Sequence, residues 1–374
     1  MKKLLILLLV FASSFSLTGC KKEKENILIG FSATLTGTYS EVGVSEMYGV
    51  EFAIHLINEN GGVNGKKLEL IVMDDLFDET TAINNDNELI EKGVVAIIGH
   101  SLSQLGVPTV QNINDKDMLM ISPSIGTDSL TAYNDFFFRV VPTAYDESLL
   151  ITTKALNDED SRPLFIYDNE NFALTENHKN AFFDFVNENR DYEPLFYSFE
   201  NGLDNADYQN IESLITDNNL NTLIVAANSL NAGNLSVLLE QYDNHELDVH
   251  YTSWASSQDL PTRVTSSIHN YYSYSFFNQF DVSESFSSYN DLFYERYGRN
   301  LDMMSIFGID AVNALYHGLV NSSSFESTDI KKTLLDRYNY DSIQGSFSFD
   351  EHGDVLRTIY QFKIIENTYV KTDD

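Results

Sequence analysis

The sequence predicts an α/β protein built as two doubly wound, parallel-sheet, Rossmann-like lobes. Three observations carry that expectation. Short apolar runs alternate with stretches of helical periodicity from residue 27 onward. The alternation begins afresh at Leu164. Finally, 355 residues remain beyond an N-terminal leader of 19, which is long for one core and natural for two. Strand–helix–strand repetition at this spacing requires parallel pairing with right-handed crossovers.

The elements follow in order. Ile27-Leu28-Ile29-Gly30-Phe31 reads as a buried strand, followed by a Thr/Ser/Gly-rich loop over 32–43. Met47, Val50, Ile54 and Ile57 recur at helical spacing, and Asn60-Gly61-Gly62 ends that helix. Strands are expected at 68–73, 94–98 and 119–121, with helices at 79–92 and 103–114 between them. The second half repeats the scheme, with strands at 164–167, 195–199, 223–227 and 249–252. In such sheets, ligands lie beyond the carboxyl ends of the strands at the switch in strand order, so two facing halves would enclose one cleft.

The N-terminus fixes the compartment. Lys2 and Lys3 precede an apolar run from Leu4 to Phe15, too short to span a bilayer comfortably. Leu17-Thr18-Gly19-Cys20 closes this leader, and Cys20 is the only cysteine in the chain. Leu-x-Gly-Cys resembles the lipobox of bacterial lipoproteins. That resemblance implies cleavage after residue 19, a lipidated Cys20, and a charged tether through residue 26. Two acyl chains suffice for stable anchoring where one does not. With Cys20 lipidated no thiol remains, so disulfides and thiolate metal sites are excluded. No later stretch approaches 18 apolar residues, and the rest is expected to be soluble.

The formal charge of −33 becomes −35 once Lys2 and Lys3 are lost. A chain this acidic repels nucleic acid and anionic lipid. An apolar content of 43% with 13% aromatics argues for packed cores rather than disorder.

Several loop landmarks carry a family resemblance. They are Asn58-Glu59-Asn60-Gly61-Gly62-Val63-Asn64-Gly65; Asp74-Asp75 with Asp78; Ile97-Ile98-Gly99-His100 leading to Ser103; and Ile121-Ser122-Pro123-Ser124 with Phe138-Arg139-Val140. Near the end come Gly308-Ile309-Asp310-Ala311 and Gly345-Ser346-Phe347-Ser348-Phe349-Asp350 with Gly353-Asp354. In this order and spacing, over 27–369, they resemble the leucine/isoleucine/valine-binding protein family, type I periplasmic binding proteins that feed ABC importers. The resemblance implies lobe I over 27–142 plus 276–340 and lobe II over 143–275 plus 341–370. Three crossovers are expected, near Pro142, near Ser275 and around Asp341, with hinge closure over a ligand.

The resemblance also nominates a site. A ligand carboxylate is expected against the Ser103 hydroxyl and the backbone amides of Ser124 and Gly126, with Thr127 adjacent; loop amides of this kind suit an anion. Phe172 is expected to cover the ligand, Ser229 to offer a polar contact, and Tyr39 to form a wall. Branched-chain binders carry an acid in the loop after the strand ending at Tyr251. Here that loop reads Ser253-Trp254-Ala255-Ser256-Ser257, without one. Trp254, the sole tryptophan, could stack on a flat ligand or hold a cation. A buried ammonium without a partner is costly, so Asp259 and Asp310 are alternative donors of charge, and a small carboxylate or amide is expected in place of aliphatic amino acids.

Other chemistries find no support. Asp74-Asp75 point to opposite faces of a strand and read as polar strand-end contacts. His100 reads as structural, and the histidines lack partners at metal-ligand spacing. No Gly-x-Ser-x-Gly elbow, phosphate-binding loop or cysteine nucleophile is present. The expectation is therefore a non-enzyme without cofactor or metal. Its partners would be a small solute, an ABC permease with its ATPase, and the membrane through a lipid, but no nucleic acid. A ligand sensor acting on a membrane kinase or chemoreceptor is the alternative.

Overall fold

The computed structural model describes residues 25–241, 246–264, 268–336 and 338–372. Leader, Cys20 and most of the tether lie outside the described residues.

The first lobe is a five-stranded sheet formed by β1 (Ile27–Ala33), β2 (Leu68–Asp74), β3 (Ile97–Gly99), β4 (Met120–Ser122) and β5 (Phe137–Arg139). Its order is β2-β1-β3-β4-β5, and every pairing is parallel. The crossovers are α1 (Ser40–Glu59), α2 (Glu79–Glu91) and α3 (Ser103–Asn114). The order reverses between β1 and β3, so the loops leaving Ala33 and Gly99 flank the switch point. α4 (Ala144–Ala155) then opens the second lobe, with the Thr143 side chain capping the Asp146 amide.

That lobe contains β6 (Pro163–Asp168), α5 (Phe172–Asn189), β7 (Leu195–Phe199), α6 (Asn205–Asn218), β8 (Thr222–Ala226), α7 (Ser229–Leu239), β9 (Asp248–Tyr251), α8 (Leu260–Arg263) and β10 (Asn270–Ser275). β7-β6-β8-β9-β10 is parallel and repeats the topology of the first sheet, with its switch between β6 and β8. β8 is buried along its whole length, as a central parallel strand covered on both faces must be.

The chain then returns to the first lobe through α9 (Glu284–Tyr297), α10 (Met303–Asn321), α11 (Ser327–Leu334) and a short antiparallel pair, β11 (Tyr340–Asp341) with β12 (Ser346–Phe347). It finishes in the second sheet as β13 (Tyr360–Ile365) and β14 (Thr368–Lys371), both antiparallel. Glu366 and Asn367 make their two-residue turn with φ of 48° and 61°, the left-handed pair that matches strand twist in tight hairpins. This antiparallel extension is absent from the sequence expectation.

α10 is long and apolar enough by length and composition to cross a membrane, with mean hydropathy 1.2, although Ser305, Asp310, Asn313 and His317 interrupt its apolar run. It is 72% buried and belongs to the core. Its partner is α1, and glycines set their distance. A Cβ on Gly49 would stand 1.9 Å from the Ser305 carbonyl oxygen, and one on Gly308 2.4 Å from that of Glu46. The two backbones approach as closely as they do because neither position has a side chain.

The third crossover departs from the expected boundary. Tyr340, Ile343, Phe347, Phe349 and Val355 are buried in the first lobe's core, together with Phe138 and Phe307. Segment 341–355 therefore belongs to lobe I, and the chain crosses only between Val355 and Tyr360. The aromatic rings explain this: Phe349 meets Phe138 edge-on at 5.1 Å, and Tyr340 stacks on Phe347 at 5.1 Å.

Candidate functional site

The two switch points face each other, and the loops that leave them form a closed cleft. Direct hydrogen bonds hold it shut. The Gln104 amide donates to Asn171 Oδ1 at 3.0 Å, and the Ala173 amide to Gln104 Oε1 at 3.2 Å. The Asp128 amide and Thr127 hydroxyl both reach Asn177 Oδ1 at 3.1 Å. The Tyr39 hydroxyl donates to Asp168 Oδ2 at 2.9 Å and also contacts Glu170, while Ser229 meets Glu41.

Inside lie two compartments, each with about 460 Å³ of empty space, part of it open to solvent. Val42, Trp254 and Met304 line both and so form the partition between them. Ser103, Ser124, Gly126, Glu147, Asn171 and His178 line the first. Tyr39, Glu41, Asn228, Ser256 and Asp302 help line the second. A larger hollow, about 950 Å³, lies elsewhere in lobe I between α1, α9 and α10, away from the strand ends.

Four nominated residues therefore stand in the first compartment's wall: Ser103, Ser124, Gly126 and Trp254. Ser103 begins α3, immediately beyond β3. Its Oγ accepts the Gly126 amide at 3.1 Å, and no described acceptor takes its own hydrogen. The loop amides are less free than expected. Ser122 Oγ takes those of Ser124 (3.2 Å) and Ile125 (2.9 Å). The Ser124 hydroxyl is committed to the Ser101 carbonyl at 2.7 Å and to Glu46. Burial pushes the Glu46 carboxyl up to about 8, partly offset by those serine contacts. Behind it His100 lies between Asp75 (2.9 Å) and Asp86 (3.1 Å). Burial would lower this imidazole, but the two carboxylates prevail and raise it to about 10. His100 is structural, as the sequence indicates.

The other nominated residues act differently. Tyr39 borders the second compartment, its ring stacked on Trp254 at 6.1 Å and against Phe77 at 4.8 Å. Thr127 and Ser229 are placed as interlobe clasps and line neither compartment. Phe172, expected to cover the ligand, lines neither compartment; Lys179 Nζ lies 5.7 Å over its ring and also faces Tyr167 and Phe196.

The residue that sequence reasoning missed is Glu147. It projects from the first turn of α4 and is 7% exposed. Its carboxylate accepts the Ser253 amide at 2.6 Å and the Ser253 hydroxyl at 2.9 Å. Burial pushes it up to about 7, and these two bonds offset the rise only in part. An acid is thus delivered to the loop after β9, but from another element. Asp259 and Asp310 do not serve: Asp259 is exposed beside Arg263, and Asp310 is buried in lobe I against Arg357 at 2.7 Å. No sequence signal separates Glu147 from an ordinary helix-start acid such as its neighbour Asp146.

Unpartnered polar atoms collect at the same place. Asn171 Nδ2, His178 Nδ1, Trp254 Nε1 and Asn228 Nδ2 are buried without a hydrogen-bond partner. Burial lowers His178 to about 3, so the ring is neutral. Buried polar groups ordinarily find partners, and these four atoms line one cleft without any. Among the described residues, no cluster of three or more His, Cys, Asp or Glu could hold a metal ion.

The chain has relatives among known proteins. A leucine-, isoleucine-, valine-, threonine- and alanine-binding protein of Pseudomonas aeruginosa is 32% identical over 108 residues, and a Leu/Ile/Val-binding protein of Escherichia coli matches equally; each match covers 29% of this chain. The chain spans only 29% of the length of these curated relatives. A leucine-binding protein structure from Thermotoga maritima superimposes with a TM-score of 0.80 at 17% identity, covering 93% of this chain and 98% of that one. The family profile described as periplasmic binding protein matches residues 26–368, nearly the whole described fold, and the chain belongs to the periplasmic binding protein family.

Proposed function

We propose that this protein is an extracytoplasmic solute-binding lipoprotein that closes its two lobes over a small amino-acid-like molecule and delivers it to an ABC permease. One observation carries the reading: a closed cleft gathers unpaired donors and a buried carboxylate without a cationic partner in one lining. The Ser103 hydroxyl and Asn171 Nδ2 suit a ligand carboxylate, as charge-assisted hydrogen bonds are the stronger kind. Glu147 suits an ammonium. The reservation that the loop after Tyr251 lacks an acid is thereby removed, and α-amino acids become the favoured class. The functions of the curated relatives point the same way.

The test is thermal or urea unfolding of the mature chain after ligand has been stripped by unfolding and refolding, against a panel of amino acids, amides and organic acids. A true ligand at a hundred times its dissociation constant adds about 2.7 kcal/mol. That gain should disappear in Ser103→Ala. A panel that leaves stability unchanged throughout would count against the reading.

We also propose that Cys20 carries the lipid anchor. Wild-type protein should sediment with membranes and Cys20→Ser should be recovered soluble. Equal partition of the two would dispose of the anchor.

A further inference from the structure

We propose that the second compartment is a side-chain subsite for a neutral hydrogen-bond acceptor, read by Asn228 Nδ2, so that the preferred solute is an amino acid whose side chain ends in an amide or similar carbonyl. This rests on the solute-binding reading above and deepens it.

The orientation of the Asn228 amide is fixed by the fold. Asn228 is the N-cap of α7, and its Oδ1 accepts the Asn231 amide at 2.9 Å. The oxygen is thus committed, and the nitrogen is the end left over. Asn228 is 6% exposed, lines the second compartment, and its Nδ2 has no partner. A buried amide donor costs free energy until something accepts from it. Trp254 Nε1, on the partition, makes the same demand.

The chemistry of the acceptor follows from its surroundings. Neither compartment is lined by a Lys or Arg. Glu41, Asp168 and Glu170 stand in or beside the second, so an anionic side chain would meet like charge. A cationic side chain would face the Asn228 N–H donor, while the acids there are already engaged. Glu41 takes the Ser229 hydroxyl, and Asp302 takes Ser45 and the Ser305 amide (2.8 Å), with Arg299 at 2.9 Å. A neutral carbonyl remains. Between the compartments Val42, Met304 and the Trp254 ring offer apolar walls, suited to the methylenes joining an α-carbon to such a group.

The experiment is titration calorimetry of the stripped protein with glutamine, glutamate, lysine and leucine. The proteins are wild type, Asn228→Ser and Asn228→Asp, which both keep an N-cap acceptor but lose the amide Nδ2 that reaches beyond it, and Glu147→Gln as control. Wild type should bind glutamine at least tenfold more tightly than the other three. Both Asn228 variants should lose that advantage while holding leucine within threefold of wild type, with unfolding midpoints unchanged. Leucine binding as tightly as glutamine, or glutamine binding unaffected in the Asn228 variants, would overturn the subsite and leave the solute-binding reading standing. No binding of any amino acid to wild type would remove both. Loss in Glu147→Gln alone would confirm the amino-acid site and overturn the assignment to Asn228.

Discussion

Glu147→Gln is expected to weaken the binding of amine-bearing solutes by about 30-fold or more, while raising the stability of the empty protein at neutral pH, where charge on the buried carboxyl opposes folding. Truncating one partner of a buried, hydrogen-bonded charge pair typically costs about 2–5 kcal/mol, and each 1.4 kcal/mol is about tenfold in affinity. Glutamine keeps the shape and one acceptor for Ser253, so the loss falls on the charge. The pH dependence has a definite sign. Burial raises this carboxyl from the usual 4.5 to about 7, which favours the protonated form in the empty cleft. An ammonium needs the anion. Affinity in the wild type should therefore be full above pH 7 and fall as pH drops through it, with about half a proton released on binding at pH 7 and close to one well below it. The raised pKa also means that charge on Glu147 opposes folding above pH 4.5, so this group's contribution to the stability of the empty protein rises as pH falls toward that value. In Glu147→Gln this part of the slope should vanish. Other buried groups keep their own slopes, among them Glu46 and Asp168, raised by burial to about 8 and about 6, and His178 and His250, lowered by burial to about 3 and acting with the opposite sign. Calorimetry at pH 5.5, 7 and 8.5 checks both statements. A variant that binds amino acids within threefold of wild type at pH 8.5 would exclude Glu147 from the site.

Glu147 also marks the boundary of what the sequence makes legible. The parallel sheets could be read because a buried strand is an apolar run with an abrupt polar end, as at Ile97-Ile98-Gly99 or Leu223-Ile224-Val225. The topology then says that the cleft lies at those ends. Ser103 is nominated by the family resemblance and Trp254 by its place in the loop after β9, each a few residues past a strand. Glu147 and Asn171 are not, because each sits where a helix begins, and capping chemistry favours polar residues there whether the helix start faces water or a ligand. Asp146 and Glu147 are neighbours of the same type, yet only the second reaches Ser253, 106 residues away. His178 lies well inside α5 and looks like any core-facing polar residue. The third crossover was misplaced for a related reason. Tyr340, Phe347 and Phe349 carry no mark of which core they join, and only the packing against Phe138 assigns them to lobe I.

Asp354→Ala is expected to cost about 3–5 kcal/mol of stability, the usual effect of leaving a buried charge without its partner. The charge is Arg139, fully buried at the end of β5. Its Nε donates to Asp354 Oδ1 at 2.7 Å, Nη1 to the Thr127 carbonyl at 2.7 Å, and Nη2 to Thr131 Oγ1 at 2.6 Å. Asp354 Oδ2 also accepts the Ala132 amide at 3.1 Å. One ion pair thus joins three things: the strand end, the 125–132 loop bearing Gly126 and Thr127, and the segment leading into the third crossover. Arg357 repeats the device three residues on, bonding the Val140 carbonyl (2.6 Å) and Asp310 (2.7 Å) with its guanidinium over Phe307 and Phe347. Both arginines tie the crossover to lobe I, so the segment free to flex during opening shortens to the few residues before Tyr360. Asp354→Asn, which keeps the acceptor but loses the charge, should cost less than Asp354→Ala. Urea unfolding measures the two losses, and an Asp354→Ala midpoint equal to wild type would show the pair to be dispensable. Because Arg139 also holds the loop beside Ser103, the same variant should lose solute affinity at temperatures where it remains folded. A stability loss with affinity intact would show that the loop keeps its shape without Arg139 being neutralised.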